Sequence, residues 1–537
     1  MSKTKKSLVV IPNTDVGKHT HIFESHSTNG DVSVIRYDEF NSSTACVHSL
    51  GIVLSSPEQR LIRAYKATSA VDPKKYSSFR EFYSEPTRQN FYSRLLKKHS
   101  ISQFGFIGLQ EHLYRGVLMM SEWLDARLFR LPYHASQTQS ELLSIPEDDI
   151  KEIKKLHAKD FEIYENAKAC FEARWSDYKE LHELTFIPNK SIKIHLGPPK
   201  TGTSAIQAWL HENQQQLRSS HVLYPKHSSD RNGVSSGNFE RLVSVDATSG
   251  RPYFDDEKAR QLANEFNFCE CDMLLLSSEH FYYYAIWLFS RFPNAQYIFY
   301  IRHPLAINES GFHQEVKRHG RTKPFVIPDN IGFNNLAFIQ SVAKEFNVHI
   351  TYRFFEESLF EGGNLLSDFA KAANIPLIAP DTVKRLNTQY SPGALKLMLV
   401  CNKFASPALR RDLDVVLQKD SESISAFSVV TKEQYRVTQL KLKEDARRLS
   451  VREERLDVAL MESLIESYKK PKTISDENAL FDLQRVLNIL SKNEPKLSRR
   501  LYKELAQYRE SDDECKLIQS SLRVGWYVKL WCLLLGQ

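Results

Sequence analysis

The stretch that most constrains this chain is residues 191–217, SIKIHLGPPKTGTSAIQAWLHENQQQL. An apolar run (Ile192, Ile194, Leu196) predicts a buried strand. It stops at Gly197-Pro198-Pro199-Lys200-Thr201-Gly202-Thr203-Ser204, and a helical pattern follows with Ile206, Trp209, Leu210 and Leu217 on one side. A strand that turns through glycines into a helix aims backbone N–H groups and a positive helix end at one point, which suits an anion.

The two glycines sit five residues apart, as in the phosphate loop of nucleoside-triphosphate enzymes. That loop carries Lys and then Ser or Thr directly after its second glycine. Here Thr203 and Ser204 follow Gly202, and the lysine has moved inside the turn, to Lys200. PKTGTS after a strand resembles the 5′-phosphosulfate loop of the sulfotransferases, whose sulfuryl donor is 3′-phosphoadenosine-5′-phosphosulfate. The wider HLGPPKTGTSAIQAWLHEN resembles their bacterial, carbohydrate-type members. The resemblance implies that Lys200 contacts the leaving bridging oxygen and that Thr201, Gly202, Thr203 and Ser204 cradle the 5′-phosphate.

Tyr300-Ile301-Arg302-His303-Pro304, with Ser310 eight residues after Arg302, is similar to the family's clamp for the 3′-phosphate. Arginine suits that task because its guanidinium offers two parallel N–H···O bonds. An acceptor hydroxyl must also lose its proton to a carboxylate or histidine within reach. Glu279, after the apolar run Met273–Leu276, is the first choice, with His280 and His227 in reserve. Lys200–Ser204, Glu279 and Arg302 each follow an apolar run, and ligands of open parallel sheets bind at strand carboxyl ends. Arg385-Leu386-Asn387 resembles a late family segment that approaches the nucleotide.

Residues 1–180 resemble a membrane-associated carbohydrate sulfotransferase in the phrases SSPEQRLIRAYK, SFREFY, FGFIGLQEHL and HAKDFEIYENAKACF. The chemistry does not survive: Asn13 stands where the family has its loop lysine, Ser55 where it has arginine, and Arg63 where it has serine. Leu8–Ile11 reads as a strand, residues 57–65 as a helix opened by Pro57, and residues 106–112 as helical. Strands alternate with helices from 190 to about 390, which predicts α/β architecture with parallel sheets flanked by helices. The expected organisation is a degenerate, non-catalytic sulfotransferase-like domain at 1–180, a catalytic domain at 190–465, and a helical extension at 466–537. Residues 228–250, rich in Ser, Asn, Gly and Asp, read as a binding loop.

The charge of +7 over 537 residues suits anionic donors and does not argue for nucleic acid. Seven scattered cysteines, with only a bare C-x-C at Cys269 and Cys271, suggest reduced thiols in the cytoplasm rather than a zinc site. No stretch reaches the length of a membrane span. The apolar tail from Trp526 to Leu535 would dock in the core or on a partner, or else lie on the inner membrane surface. The expectation is therefore transfer of a sulfuryl group to a hydroxyl of a carbohydrate or glycolipid acceptor, without a metal. A kinase-like phosphate-loop protein and a non-enzymatic binding module are the alternatives.

Overall fold

A computed structural model describes the chain apart from residues 1–6, 11–32, 37–49, 98, 129–143, 229–235, 379–388, 421–426, 453–455, 469, 509–511, 527, 530–531 and 533–537. Asn13 and the segment around Arg385 lie outside the described residues. The architecture is α/β. In the first part of the chain β1 (Ser7–Val10), β2 (Ser33–Arg36), β3 (Leu50–Leu54) and β4 (Phe106–Leu109) form a parallel sheet in the order β2-β1-β3-β4.

The second part contributes β5 (Ser191–His195), β6 (Val222–Leu223), β7 (Val243–Val245), β8 (Pro252–Phe254), β9 (Met273–Ser277), β10 (Gln296–Ile301) and β11 (Ile350–Phe354). Five of these form a parallel sheet in the order β11-β10-β5-β9-β6. The strands β7 and β8 pair antiparallel as a separate hairpin. In chain order, β1, β2, β3, β4 occupy the same relative places as β5, β9, β10, β11. The two sheets thus share one strand order, and β6 is an addition at the second sheet's edge.

The segment 106–112, expected to be helical, begins as strand β4, paired to β3 from Gly51↔Phe106 to Leu54↔Leu109. All four of its residues are buried. A short apolar run covered on both faces carries no period that separates strand from helix. The expectation holds only for Gln110–His112, a 3-10 turn, which leads into the α-helix that begins at Leu113. The expected loop at 228–250 also contains more structure than its composition suggests, with a helical turn at Gly237–Arg241 and then β7.

One apolar core runs through both sheets. Helices Leu113–Leu124 and Ala158–His182 of the first part pack on Ala285–Arg291 and Asn334–Phe346 of the second. Trp175 meets Phe346 edge-on at 5.6 Å, and Tyr114 meets Phe338 at 6.0 Å. Buried Glu345 accepts the N–H groups of Tyr114 (3.2 Å) and Arg115 (2.6 Å), so a carboxylate from one part satisfies the helix start of the other. Burial pushes that carboxyl up to about 7, against the pull of those two donors.

Beyond the second sheet the side chains group across the boundary expected at 465. Leu442, Leu449, Met461 and Leu464 join the sheet core. Helices Pro392–Phe404 and Asp476–Asn493 instead pack on each other, together with Phe312 and Val316. Val528 is buried in that helical group, whereas Trp526 is 76% exposed. Among the described residues no helix is long and apolar enough to cross a membrane.

Candidate functional site

Strand β5 owes its place to Ile192 and Ile194 on one face and to Lys193 and His195, also buried, on the other. Nδ1 of His195 lies 2.9 Å from the Ser277 Oγ of β9, Nε2 has no hydrogen-bond partner among the described residues, and burial pushes the ring's pKa down to about 3. The chain then turns so tightly that a Cβ at Gly197 would stand 2.0 Å from the Thr203 methyl. Thr201, fully buried, donates its hydroxyl to the Pro198 carbonyl at 2.8 Å and closes the turn. Lys200 (φ +73°) and Gly202 (φ +75°) both take left-handed backbone, and the helix Thr203–Glu212 starts at once. Among the described residues, no N–H from Lys200 to Ser204 donates to a protein acceptor. These are the donors a helix start and its preceding turn offer to an anion.

Arg302 leaves the carboxyl end of β10, next to β5 in the sheet, and its guanidinium donates to the Lys200 carbonyl. Its Cζ lies 5.0 Å from the centre of the Phe355 ring, whose backbone N–H bonds the Ile301 carbonyl at 2.7 Å. Phe355 also lies under Gly202, where a Cβ would come within 2.6 Å of the ring and 2.4 Å of Leu365. One aromatic side chain therefore sets both the arginine and the glycine turn. Gly202→Ala is expected to cost about 1–3 kcal/mol through backbone strain and displacement of these neighbours. The midpoint shift in a denaturant titration measures it.

Burial lowers the Lys200 ammonium below its ordinary pKa; Glu279 opposes that shift and Arg302 adds to it. Glu279 and Arg302, from the other two strand ends, are thus each within electrostatic reach of Lys200. Glu279 is partly buried, 3.8 Å from Nε2 of His280. The turn that carries it is held by Ser278, whose Oγ donates to the Ser236 carbonyl at 2.6 Å, and by Asn238, which accepts the Ser277 N–H at 2.9 Å. His227 is placed differently. Its Nε2 lies 3.1 Å from the Tyr224 hydroxyl and its ring packs on His211, at the end of the loop helix opposite Lys200.

Comparison with protein-family models, with curated proteins and with solved structures found no match.

Ser310 sits half-buried on the helix Pro304–Arg318. Seven residues further, on the same helical face, is Lys317, which the sequence reading missed. Burial pushes Lys317 down to about 8, Asp414 opposes this, and the charges of Arg318 and Lys200 add to it. Its Nζ stands 4.5 Å from the Tyr390 ring centre. Lysine fifteen residues beyond Arg302 carries no motif; only the helix and sheet packing brings it toward Lys200.

The segments after 420 also brace the site. Tyr468 stacks on His303 at 4.1 Å and donates to Glu309 Oε2 at 3.3 Å. Glu309 in turn accepts from the Ser428 hydroxyl (2.8 Å) and the Val429 N–H (2.9 Å). His303 accepts the Leu305 N–H at 3.2 Å, capping the helix that holds Ser310 and Lys317.

Proposed function

We propose that this protein transfers a sulfuryl group from 3′-phosphoadenosine-5′-phosphosulfate to a carbohydrate hydroxyl. The observation that carries the reading is the bond from the Arg302 guanidinium to the Lys200 carbonyl, which puts two cations from adjacent strand ends at one rim. The free N–H groups of the turn, the left-handed Lys200 and the arginine form a donor set that fits a nucleotide with phosphate at both its 3′ and 5′ positions.

In this reading the N–H groups from Lys200 to Ser204 hold the 5′-phosphate, while Arg302 and Ser310 hold the 3′-phosphate. The bond between sulfur and the bridging oxygen breaks as the acceptor oxygen bonds to sulfur. Lys200 stabilises the negative charge that develops on the bridging oxygen. Glu279 takes the acceptor's proton, with His280 beside it, and 3′,5′-adenosine bisphosphate leaves. Lys317 adds a third cation to the donor side. The first part of the chain, with the same strand order but Ser55 in place of an arginine, is a scaffold for the second and a wall for the acceptor.

Titration with 3′,5′-adenosine bisphosphate against ATP plus magnesium tests the assignment. Tighter binding of the bisphosphate is expected, and tighter binding of ATP overturns it. The pH dependence supplies a second check. An anion favours charged Lys317, so bisphosphate affinity should fall as pH rises through about 8, where this lysine loses its proton. Lys317→Arg should keep the affinity level from pH 7 to about 9, because guanidinium stays protonated. Calorimetric titrations at several pH values read both.

A further inference from the structure

A cleft of about 870 Å³ opens where the two parts of the chain meet, bounded by the end of the helix Leu113–Leu124, the β7–β8 hairpin and the helix Ala285–Arg291. Its volume falls in the range of small-molecule and glycan sites. Four aromatic side chains line it: Tyr178, Trp287, and Tyr253 and Phe254 of the hairpin. Trp287 lies parallel to Phe254, with ring centres 6.4 Å apart, and Arg127 covers one side of Tyr253 at 4.4 Å. The hairpin is fixed in place. Asp246 accepts from Arg127 at 2.8 Å across the junction and from the Ser249 N–H at 2.8 Å within its own turn.

The charge of the lining is opposite to that of the whole chain. Six carboxylates face three arginines, and two of those arginines are paired within the wall, Arg127 with Asp246 and Arg291 with Asp256. A cleft of this sign repels uronate or sulfate groups and favours neutral or cationic ones. It is also connected to the transfer site. The His280 ring meets Phe239 at 4.8 Å, Phe239 meets Tyr284 at 5.5 Å, and Tyr284 meets Trp287 at 5.5 Å. A row of rings thus runs from the neighbour of Glu279 to the cleft wall.

From this we infer that the cleft binds the acceptor glycan, and that this glycan is neutral or amino-bearing, not a uronic-acid or already sulfated polymer. The inference rests on the sulfuryl-transfer reading for the word acceptor, but the binding itself does not require the donor. Half-buried Tyr253 gives a sugar ring an apolar platform, with buried Trp287 and Phe254 packed in the wall; the surrounding polar groups take the hydroxyls, and the negative lining selects the charge class.

The test uses the full chain, without nucleotide, on a glycan array carrying neutral, amino-bearing, uronate and sulfated oligosaccharides. Binding confined to neutral or amino-bearing glycans is expected. Tyr253→Ala should weaken it about tenfold or more. Glu122→Lys should weaken amino-bearing glycans more than neutral ones. That residue is exposed and lies in the last turn of its helix, where a cation is favoured, but it faces His182 Nε2 at 3.8 Å, so a denaturant midpoint equal to the parent's is required of the variant. Preference for uronate or sulfated glycans overturns the inference, as does absence of binding to every class, or binding unchanged in both variants. A parallel titration with 3′,5′-adenosine bisphosphate separates the two claims. Glycan binding without nucleotide binding would remove the transfer reading and leave the cleft; the converse would do the opposite.

Discussion

Replacing Lys200 by alanine is expected to lower sulfuryl transfer by about 10²–10³-fold, the usual effect of removing one donor aimed at developing charge. Transfer of labelled sulfate from donor to acceptor measures it, and retained activity would sink the mechanism. The informative companion is Lys200→Gly. Lysine at φ +73° carries a left-handed backbone that costs an ordinary L-residue roughly 1–2 kcal/mol. Glycine relieves that strain but loses about 0.4–1 kcal/mol through the larger freedom of its unfolded chain. The two nearly offset, so Lys200→Gly should keep its stability within about 1 kcal/mol of the parent while losing transfer as fully as Lys200→Ala. A lysine that costs the fold something and gives its packing little is held there by what its ammonium does. If Lys200→Gly instead unfolds the protein, the residue is a structural element of the turn and its proposed role falls.

The glycine turn was legible in the sequence because its requirements are local. Gly197 is crowded by Thr203 six residues away, Gly202 needs left-handed backbone, and the helix follows within the same stretch. Arg302 and Glu279 were legible as residues that end apolar runs, since parallel strands of one sheet deliver their carboxyl ends to one rim. What escaped depends on contacts between distant segments. Lys317 feels the charge of Lys200 although it lies more than a hundred positions away in the chain, and Phe355 reaches the turn because β11 pairs with β10. Strand β4 was read as helical because four buried apolar residues look alike in either state. The bracing of His303 by Tyr468, across 165 positions of chain, had no sequence signal at all. The strand order that the two sheets share likewise had no signal in the sequence, because it is set by pairing between distant segments.

The largest effect on stability is expected far from any motif, at Arg291. Its side chain is 2% exposed and makes a two-pronged pair with Asp256, Nε to Oδ1 at 2.8 Å and Nη2 to Oδ2 at 3.0 Å. Its Nη1 donates to the Tyr178 hydroxyl at 2.8 Å, so one guanidinium ties a helix of the first part to two helices of the second. Arg291→Ala leaves Asp256 without its cation and should cost about 3–5 kcal/mol. Exchanging both partners for apolar residues, Arg291→Met with Asp256→Leu, should cost less than the single change, because no buried charge is then left over. Acid titration gives the sign. Burial pushes the Asp256 carboxyl up, but hydrogen bonds from His182 and Arg291, with the charge of that arginine, outweigh it and hold the group far below its ordinary range. Its contribution is therefore complete above about pH 4, the unfolded value, and is lost as pH falls below it. Denaturant midpoints measured from pH 7 down to about 2 should show that loss in the parent and a flatter profile in Arg291→Ala. Equal slopes in the two proteins would mean that the Arg291–Asp256 pair does not help hold the two parts of the chain together.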